Sequence, residues 1–291
     1  MGTLLVVTGS VLLASKGIFA KALYARGLEF ETVVALRSVL AIPGFLLIAA
    51  LLGGLGPLRD CSRRDLTLAA LAGLVCYYLG AGVNFYALTL IDASVERALL
   101  FSYPALVVIA GWLLHGSRPS AAVVVAVIAT YLGIVLVVEL FSPDLTRQTL
   151  IGAAWVLVCS ATIAFYFMIS ASLTRRMGSA RFTVVAMSAA GTGLAAHYQA
   201  AIGWQSLALD QSSWLLMMAL VALATVLPLY LVAEGVRRVG AQRGAVASTV
   251  GPPATAIMAI VLLGESLSVG QLIGMLLIIG GILLLELRHM R

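Results

Sequence analysis

The sequence predicts an all-α polytopic membrane protein, with ten transmembrane helices arranged as two inverted five-helix repeats. Three observations carry that prediction. The 291 residues are 62% hydrophobic and 10% charged, with a mean hydropathy of +1.09, whereas a soluble domain needs about 25% charged residues to cover its surface. The apolar residues gather into ten runs, each near the roughly 20 residues that carry a helix across a bilayer. The chain also resembles itself at an interval of 148 residues. This composition excludes a soluble enzyme, a nucleic-acid binder and a disordered scaffold. A membrane β-barrel is excluded too: it would show short alternating segments, unlike unbroken runs such as Ile282-Leu283-Leu284-Leu285.

The predicted spans are 2–24, 31–52, 65–90, 93–114, 119–138, 149–173, 181–202, 212–234, 241–262 and 268–286. The first lacks a basic leader and carries Lys16 and Lys21 in its second half, which predicts a retained helix rather than a cleaved signal peptide. Short connections make successive spans antiparallel neighbours; Gly116-Ser117-Arg118-Pro119 and Gly264-Glu265-Ser266 read as turns. With ten spans, both termini and the even-numbered loops share one side. That side receives twelve arginines, from Arg59 to Arg291, and the other only Lys21, Arg26, Arg97 and Arg147. Cytoplasmic loops carry the excess of basic residues, so both termini are predicted cytoplasmic, in a bacterial inner membrane. Trp204 and Trp214 then fall at the outer interface as anchors. The net charge of +6 is this loop bias and implies no nucleic-acid partner. Cys61, Cys76 and Cys159 have no disulfide or metal spacing.

The repeat aligns residues 85–138 with 233–286 without a gap. Ala93 falls on Ala241, Pro104 on Pro252, Gly116 on Gly264, Ser120 on Ser268 and Gly133 on Gly281. The repeats are therefore 1–140 and 141–291. Five spans is an odd number, so the second repeat must lie upside down against the first. The charges agree: Asp92 and Glu96 lie around the start of span four, where Arg237, Arg238 and Arg243 lie around the start of span nine. Inverted repeats characterise secondary transporters, whose site lies near the midplane between the halves.

Several stretches carry a resemblance. Ser15-Lys16-Gly17-Ile18-Phe19-Ala20-Lys21, Ala35-Leu36-Arg37 and Glu96-Arg97-Ala98-Leu99-Leu100-Phe101-Ser102-Tyr103-Pro104 are among them. The second half offers Glu234-Gly235-Val236-Arg237-Arg238-Val239-Gly240-Ala241 and Gly264-Glu265-Ser266-Leu267-Ser268. Together they resemble EamA-type transporters of the drug/metabolite transporter superfamily over nearly the whole chain. The resemblance implies two tandem five-helix units and transport of an amino acid, another metabolite or a small nutrient. The chain departs from that pattern in two places: it has Gly116-Ser117-Arg118 for the usual Gly-Glu-Arg turn, and Leu13-Ala14-Ser15 where a Trp is common in span one.

Charges inside spans point to function, because each costs about 3 kcal/mol or more at a helix centre. Lys16 and Arg37 share a depth of roughly 9–12 Å at 1.5 Å per residue, and Glu96 and Arg97 sit just inside the outer end of span four. Lys16 either recognises a substrate carboxylate or phosphate or joins a buried network with Glu96 or Glu31. Arg37, Glu96 and Arg97 are assigned to such a gate or ion-pair network. On the first alternative, Lys16→Ala should impair transport and leave folding largely intact.

The expected cavity wall combines Trp155, Thr162 and Tyr166 of span six, Tyr77, Tyr78 and Asn84 of span three, Tyr103 of span four and Ser248 of span nine; buried Tyr hydroxyls need partners. For any one ring, packing competes with ligand contact. Pro104, Pro252 and Pro253 interrupt spans four and nine and serve as hinges or as static kinks, since proline removes a backbone donor. Gly270 and Gly274 are assigned to close helix packing. His197 and Glu234 read as interfacial groups rather than proton carriers, and no carboxylate is expected at mid-membrane.

The functional reading is a secondary transporter moving a small metabolite, an amino acid or related compound, outward by alternating access. A lipid or lipid-linked carrier translocase is the alternative; an integral-membrane enzyme is less favoured, because His115, His197 and His289 are scattered and no nucleophile or metal cluster converges. No cofactor, metal or obligatory protein partner is implied. The expected partners are a small-molecule substrate and the lipid bilayer.

Overall fold

The computed structural model describes residues 1–51, 60–115, 121–204, 209–239, 244 and 247–288. Among these residues the regular structure is helical throughout, with no strand. The first half contains α1 (Gly2–Ala14), α2 (Lys16–Tyr24), α3 (Phe30–Leu51), α4 (Arg63–Gly73), α5 (Ala81–Leu90), α6 (Ala93–Leu100), α7 (Tyr103–His115) and α8 (Ala121–Val137). The second contains α9 (Arg147–Met177), α10 (Ser179–Ala201), α11 (Gln211–Val221), α12 (Leu227–Val239), α13 (Gly251–Met258) and α14 (Val269–Arg288). Three π-helical segments join them: π1 (Leu74–Gly80), π2 (Ala222–Val226) and π3 (Ala259–Leu263).

Six segments are long and apolar enough to cross a bilayer: Gly2–Tyr24, Phe30–Leu51, Arg63–Leu90, Ala93–Leu113, Arg147–Met177 and Gln211–Val236. Val123–Val137, Gly251–Leu263 and Val269–Leu284 are shorter apolar helices. Their outward faces carry bare aliphatic groups, with Leu113 and Val261 more than 70% exposed. Such a surface is stable against lipid, not water. The chain is a multi-pass membrane protein.

Local chemistry sets the boundaries. Ser62, Thr146 and Asp210 accept hydrogen bonds from the first N–H groups of α4, α9 and α11, donors that a helix cannot satisfy internally. Gly178 turns α9 into α10 at φ +86°, and Gly264 ends π3 at φ +70°, a region that favours glycine. Pro104 lies second in α7, and Pro252 and Pro253 lie second and third in α13. In a first turn no backbone N–H is required, so these prolines open new helices after breaks.

Four of these starts recur at one interval. Arg63 and Gln211, Leu74 and Ala222, Tyr103 and Gly251, and Ala121 and Val269 open equivalent elements, and in each pair the second lies 148 residues after the first.

Neighbouring helices pack as α1 on α12, α5 on α9, α3 on α10 and α8 on α14. Along the last seam a Cβ at Gly274 would stand 2.7 Å from the Gly133 carbonyl oxygen, and one at Gly281 would stand 2.7 Å from that of Ala126. The predicted Gly270 contact is corrected here: a Cβ there would meet only the Ser268 hydroxyl, at 3.5 Å. The helices are antiparallel, and Val137, the last residue of α8, already lies opposite Gly274. Gly270 projects a turn past its neighbour. The Gly116–Pro119 turn, the start of span nine, and Arg59, Arg118, Arg243, His289 and Arg291 lie outside the described residues.

Candidate functional site

Two cavities of about 280 Å³ each lie beside opposite ends of the α3–α10 pair. The first is lined by Phe30, Glu31 and Val34 of α3, Tyr78 of π1, Gly82 and Tyr86 of α5, Trp155 of α9, and His197 and Tyr198 of α10. The second is lined by Phe45 and Ala49 of α3, Tyr77, Tyr166, Thr183 and Met187, and Tyr230 of α12. Consecutive residues of π1 thus serve different cavities. Tyr78 Oη lies 3.0 Å from His197 Nδ1, while the Tyr77 ring meets Tyr166 edge-on at 5.1 Å. π-helical segments frequently mark functional sites.

The layer between the cavities is filled. Along α3 it runs from Ala35 to Phe45, roughly 15 Å at 1.5 Å per residue. Ile42 packs against Gly191, where a Cβ would come within 2.7 Å of Ile42 Cδ1. Ala41, Phe45 and Val221 form an apolar cluster. Arg37 Nε donates to Thr225 Oγ1 at 3.0 Å, and its guanidinium lies 5.3 Å from the centre of the Phe85 ring. Thr225 sits in π2, 148 residues beyond Tyr77.

On the same Phe85 ring, at 5.7 Å, lies Lys16 Nζ. It donates to Asn84 Oδ1 at 2.6 Å and to Glu96 Oε1 at 3.2 Å, and Asn84 Nδ2 donates to Glu96 Oε1 at 2.6 Å. Glu96 is 1% exposed. A Cβ at Gly17 would lie 3.2 Å from that of Ala93, so α6 starts recessed, level with Gly17 rather than with the end of α2. Glu96 lies three residues further in, about 15 Å from the Tyr24 end of α2 at 1.5 Å per residue. Arg97, also buried, lies 5.1 Å over the Phe101 ring, and its Nε has no hydrogen-bond partner among the described residues.

The recessed start of α6 is held by the other half of the chain. Glu265 accepts from the Ala93 N–H at 2.8 Å and from the Ser94 N–H and hydroxyl at 3.2 and 2.6 Å. A carboxylate is favoured at this positive helix end. Lys21 Nζ is 3.6 Å from Asp92 beside it. Burial and the Glu265 carboxylate raise the Asp92 pKa, against the pull of Lys21.

Of the residues singled out in sequence, Tyr78 and Trp155 line the first cavity, and Tyr77 and Tyr166 the second. Lys16, Asn84 and Glu96 form one cluster. Thr162 is buried, donates to the Cys159 carbonyl, and packs where a Cβ at Gly80 would come. Tyr103 stacks on Phe167 at 5.3 Å. Ser248 and Tyr103 line neither cavity. Sequence reasoning missed Phe30, Tyr86 and Tyr198, which are scattered along the chain, and the capping role of Glu265. Thr225 carried a usable signal, its position one repeat after Tyr77. No group of three or more His, Cys, Asp or Glu that could hold a metal occurs among the described residues.

Residues 1–139 and 150–287 each match the EamA-like transporter family. The chain is 33% identical over 280 residues to "Uncharacterized transporter YcbK" of Bacillus subtilis (strain 168), covering 94% of this chain and 88% of that protein. It is 25% identical over 200 residues to "Uncharacterized inner membrane transporter YicL" of Salmonella typhimurium, covering 69% and 66%. A solved structure described as "Crystal structure of protein" superposes with a TM-score of 0.67 at 18% identity, covering 100% of this chain and 98% of that one. That likeness is one of fold.

Proposed function

We propose, for a chain that belongs to the EamA-like transporter family, that ten spans form two inverted five-helix repeats, 1–140 and 141–291. These carry a small metabolite, an amino acid or related compound, outward across a bacterial inner membrane by alternating access. The two equal cavities at opposite ends of α3 and α10, with a filled layer between them, carry this reading. A solute passing from one to the other must displace that layer, so the cavities open in turn. The family and the absence of any converging nucleophile in sequence favour a carrier over an enzyme.

The inversion is supported by the recurring element starts and by the pairing of neighbours. The contact of α1 with α12 has its counterpart, repeat for repeat, in that of α9 with α5, and α7 on α9 answers to α13 on α1. Arginine bias supports cytoplasmic termini. In this frame Tyr77, Tyr78, Trp155 and Tyr166 contact the solute. Lys16, Asn84, Glu96, Arg37 and Arg97 hold the layer shut, and the breaks before Pro104 and Pro252-Pro253 serve as hinges. A lipid or lipid-linked substrate remains the second reading, favoured by Trp155 and Leu79, which line the first cavity while 38% and 48% exposed.

Counterflow in proteoliposomes with amino acids, organic cations and organic anions tests the proposal. Saturable, counter-substrate-dependent flux of a small solute is expected. Lipid movement between leaflets with no solute flux would overturn it.

A further inference from the structure

We propose that the cavity at the Phe30 end is a recognition site for an organic cation bearing an aromatic or other compact apolar body. The inference rests on the carrier reading for its role, but the site stands on its own geometry.

The lining combines five aromatic residues with one carboxylate. Phe30, Tyr78, Tyr86, Trp155 and Tyr198 contribute rings, and Glu31 contributes the acid. Phe30 and Tyr86 hold each other at 5.1 Å and 54°, and the Tyr198 hydroxyl is fixed 3.2 Å from Thr32 Oγ1. Ring faces attract a desolvated cation through their quadrupole, and aromatic cages are the common solution for alkylated ammonium groups. Among the described residues Glu31 has no ion-pair partner within 4 Å, while Lys16, Lys21, Arg176 and Arg238 each have one.

The arrangement also selects against anions. Lys16 is already engaged with Glu96 and Asn84, and Arg37 with Thr225 and Phe85. Neither lines the cavity, and its remaining titratable nitrogen, His197, is bonded to Tyr78. An incoming carboxylate would meet Glu31 with no Lys or Arg among the described lining residues to offset it.

Calorimetric titration of the full chain in detergent micelles with benzyltrimethylammonium, phenylacetate and benzyl alcohol tests the assignment. The cation is expected to bind at least tenfold more tightly than the other two. Glu31→Gln is expected to weaken it at least tenfold and Glu31→Asp by less, with both variants remaining monodisperse. Trp155→Leu supplies an independent loss of the same sign. Equal affinity for phenylacetate, or undiminished cation binding by Glu31→Gln, would overturn the site. So would bound phospholipid that the cation does not displace. Counterflow on the same preparation separates the two claims. Cation binding without flux of any solute retires the carrier and leaves the site; metabolite flux without cation binding retires the site alone.

Discussion

A buried charge is stable only when its partner is in place, and Lys16 and Glu96 are each other's partner. Removing one member of a buried pair costs about 3–5 kcal/mol, whereas replacing both with apolar or neutral groups is often tolerated. Lys16→Met is therefore expected to lower thermal stability in detergent sharply, and Lys16→Met with Glu96→Gln to recover most of it. A stable single variant would show that the pair does not hold. This revises the sequence-based expectation that Lys16→Ala spares folding: helical position revealed the charge but not what faced it. Asp92 behaves in the opposite sense. Its folded pKa is raised from 3.8, chiefly by burial and Glu265, so its charged form is disfavoured in the fold. Stability from this group is full below 3.8 and is lost as pH rises through the higher folded value. Asp92→Asn should then raise the unfolding temperature at pH 7, with the gain shrinking toward pH 4. A gain independent of pH would assign the effect to something other than charge.

At the level of elements, the α8–α14 seam and the Glu265 cap make opposite demands on neighbouring stretches. Gly274→Val puts a side chain where the Gly133 carbonyl already stands, and overpacking of this kind costs about 1–3 kcal/mol. Gly270→Val, one turn away, should be silent in the same thermal assay. Equal effects at both sites would contradict the antiparallel register. Glu265→Ala leaves the first donors of α6 without their acceptor, a loss of about 1 kcal/mol by comparison with other helix caps. Because the cap ties the two halves together, the variant should also raise the reactivity of a cysteine introduced by Ala93→Cys toward a thiol reagent. Protection equal to that of the parent would place the closure elsewhere. The glycine positions and the turn at Gly264 were legible as sequence. The register that selects Gly274 over Gly270 was not, because it depends on where the neighbouring helix ends.

For the molecule as a whole, hydrophobic run length and the 148-residue interval made the helical membrane fold readable, since lipid forces every backbone group into internal hydrogen bonds. The candidate site was readable only in pieces. Tyr77 and Tyr78 were recognised together, but as consecutive residues they point roughly 100° apart on a helix and line different cavities. The meeting of Glu96 with Lys16 and Asn84 depended on α6 beginning level with Gly17, which no local pattern encodes. Alternation of the two cavities is the central claim, and paired thiol accessibility tests it most directly. In a background with Cys61, Cys76 and Cys159 replaced, Tyr86→Cys and Tyr230→Cys report on the two cavities from opposite faces of sealed vesicles. With a transported solute on one side, one site should gain reactivity as the other loses it; parallel changes, or labelling of both from one face, would contradict the account.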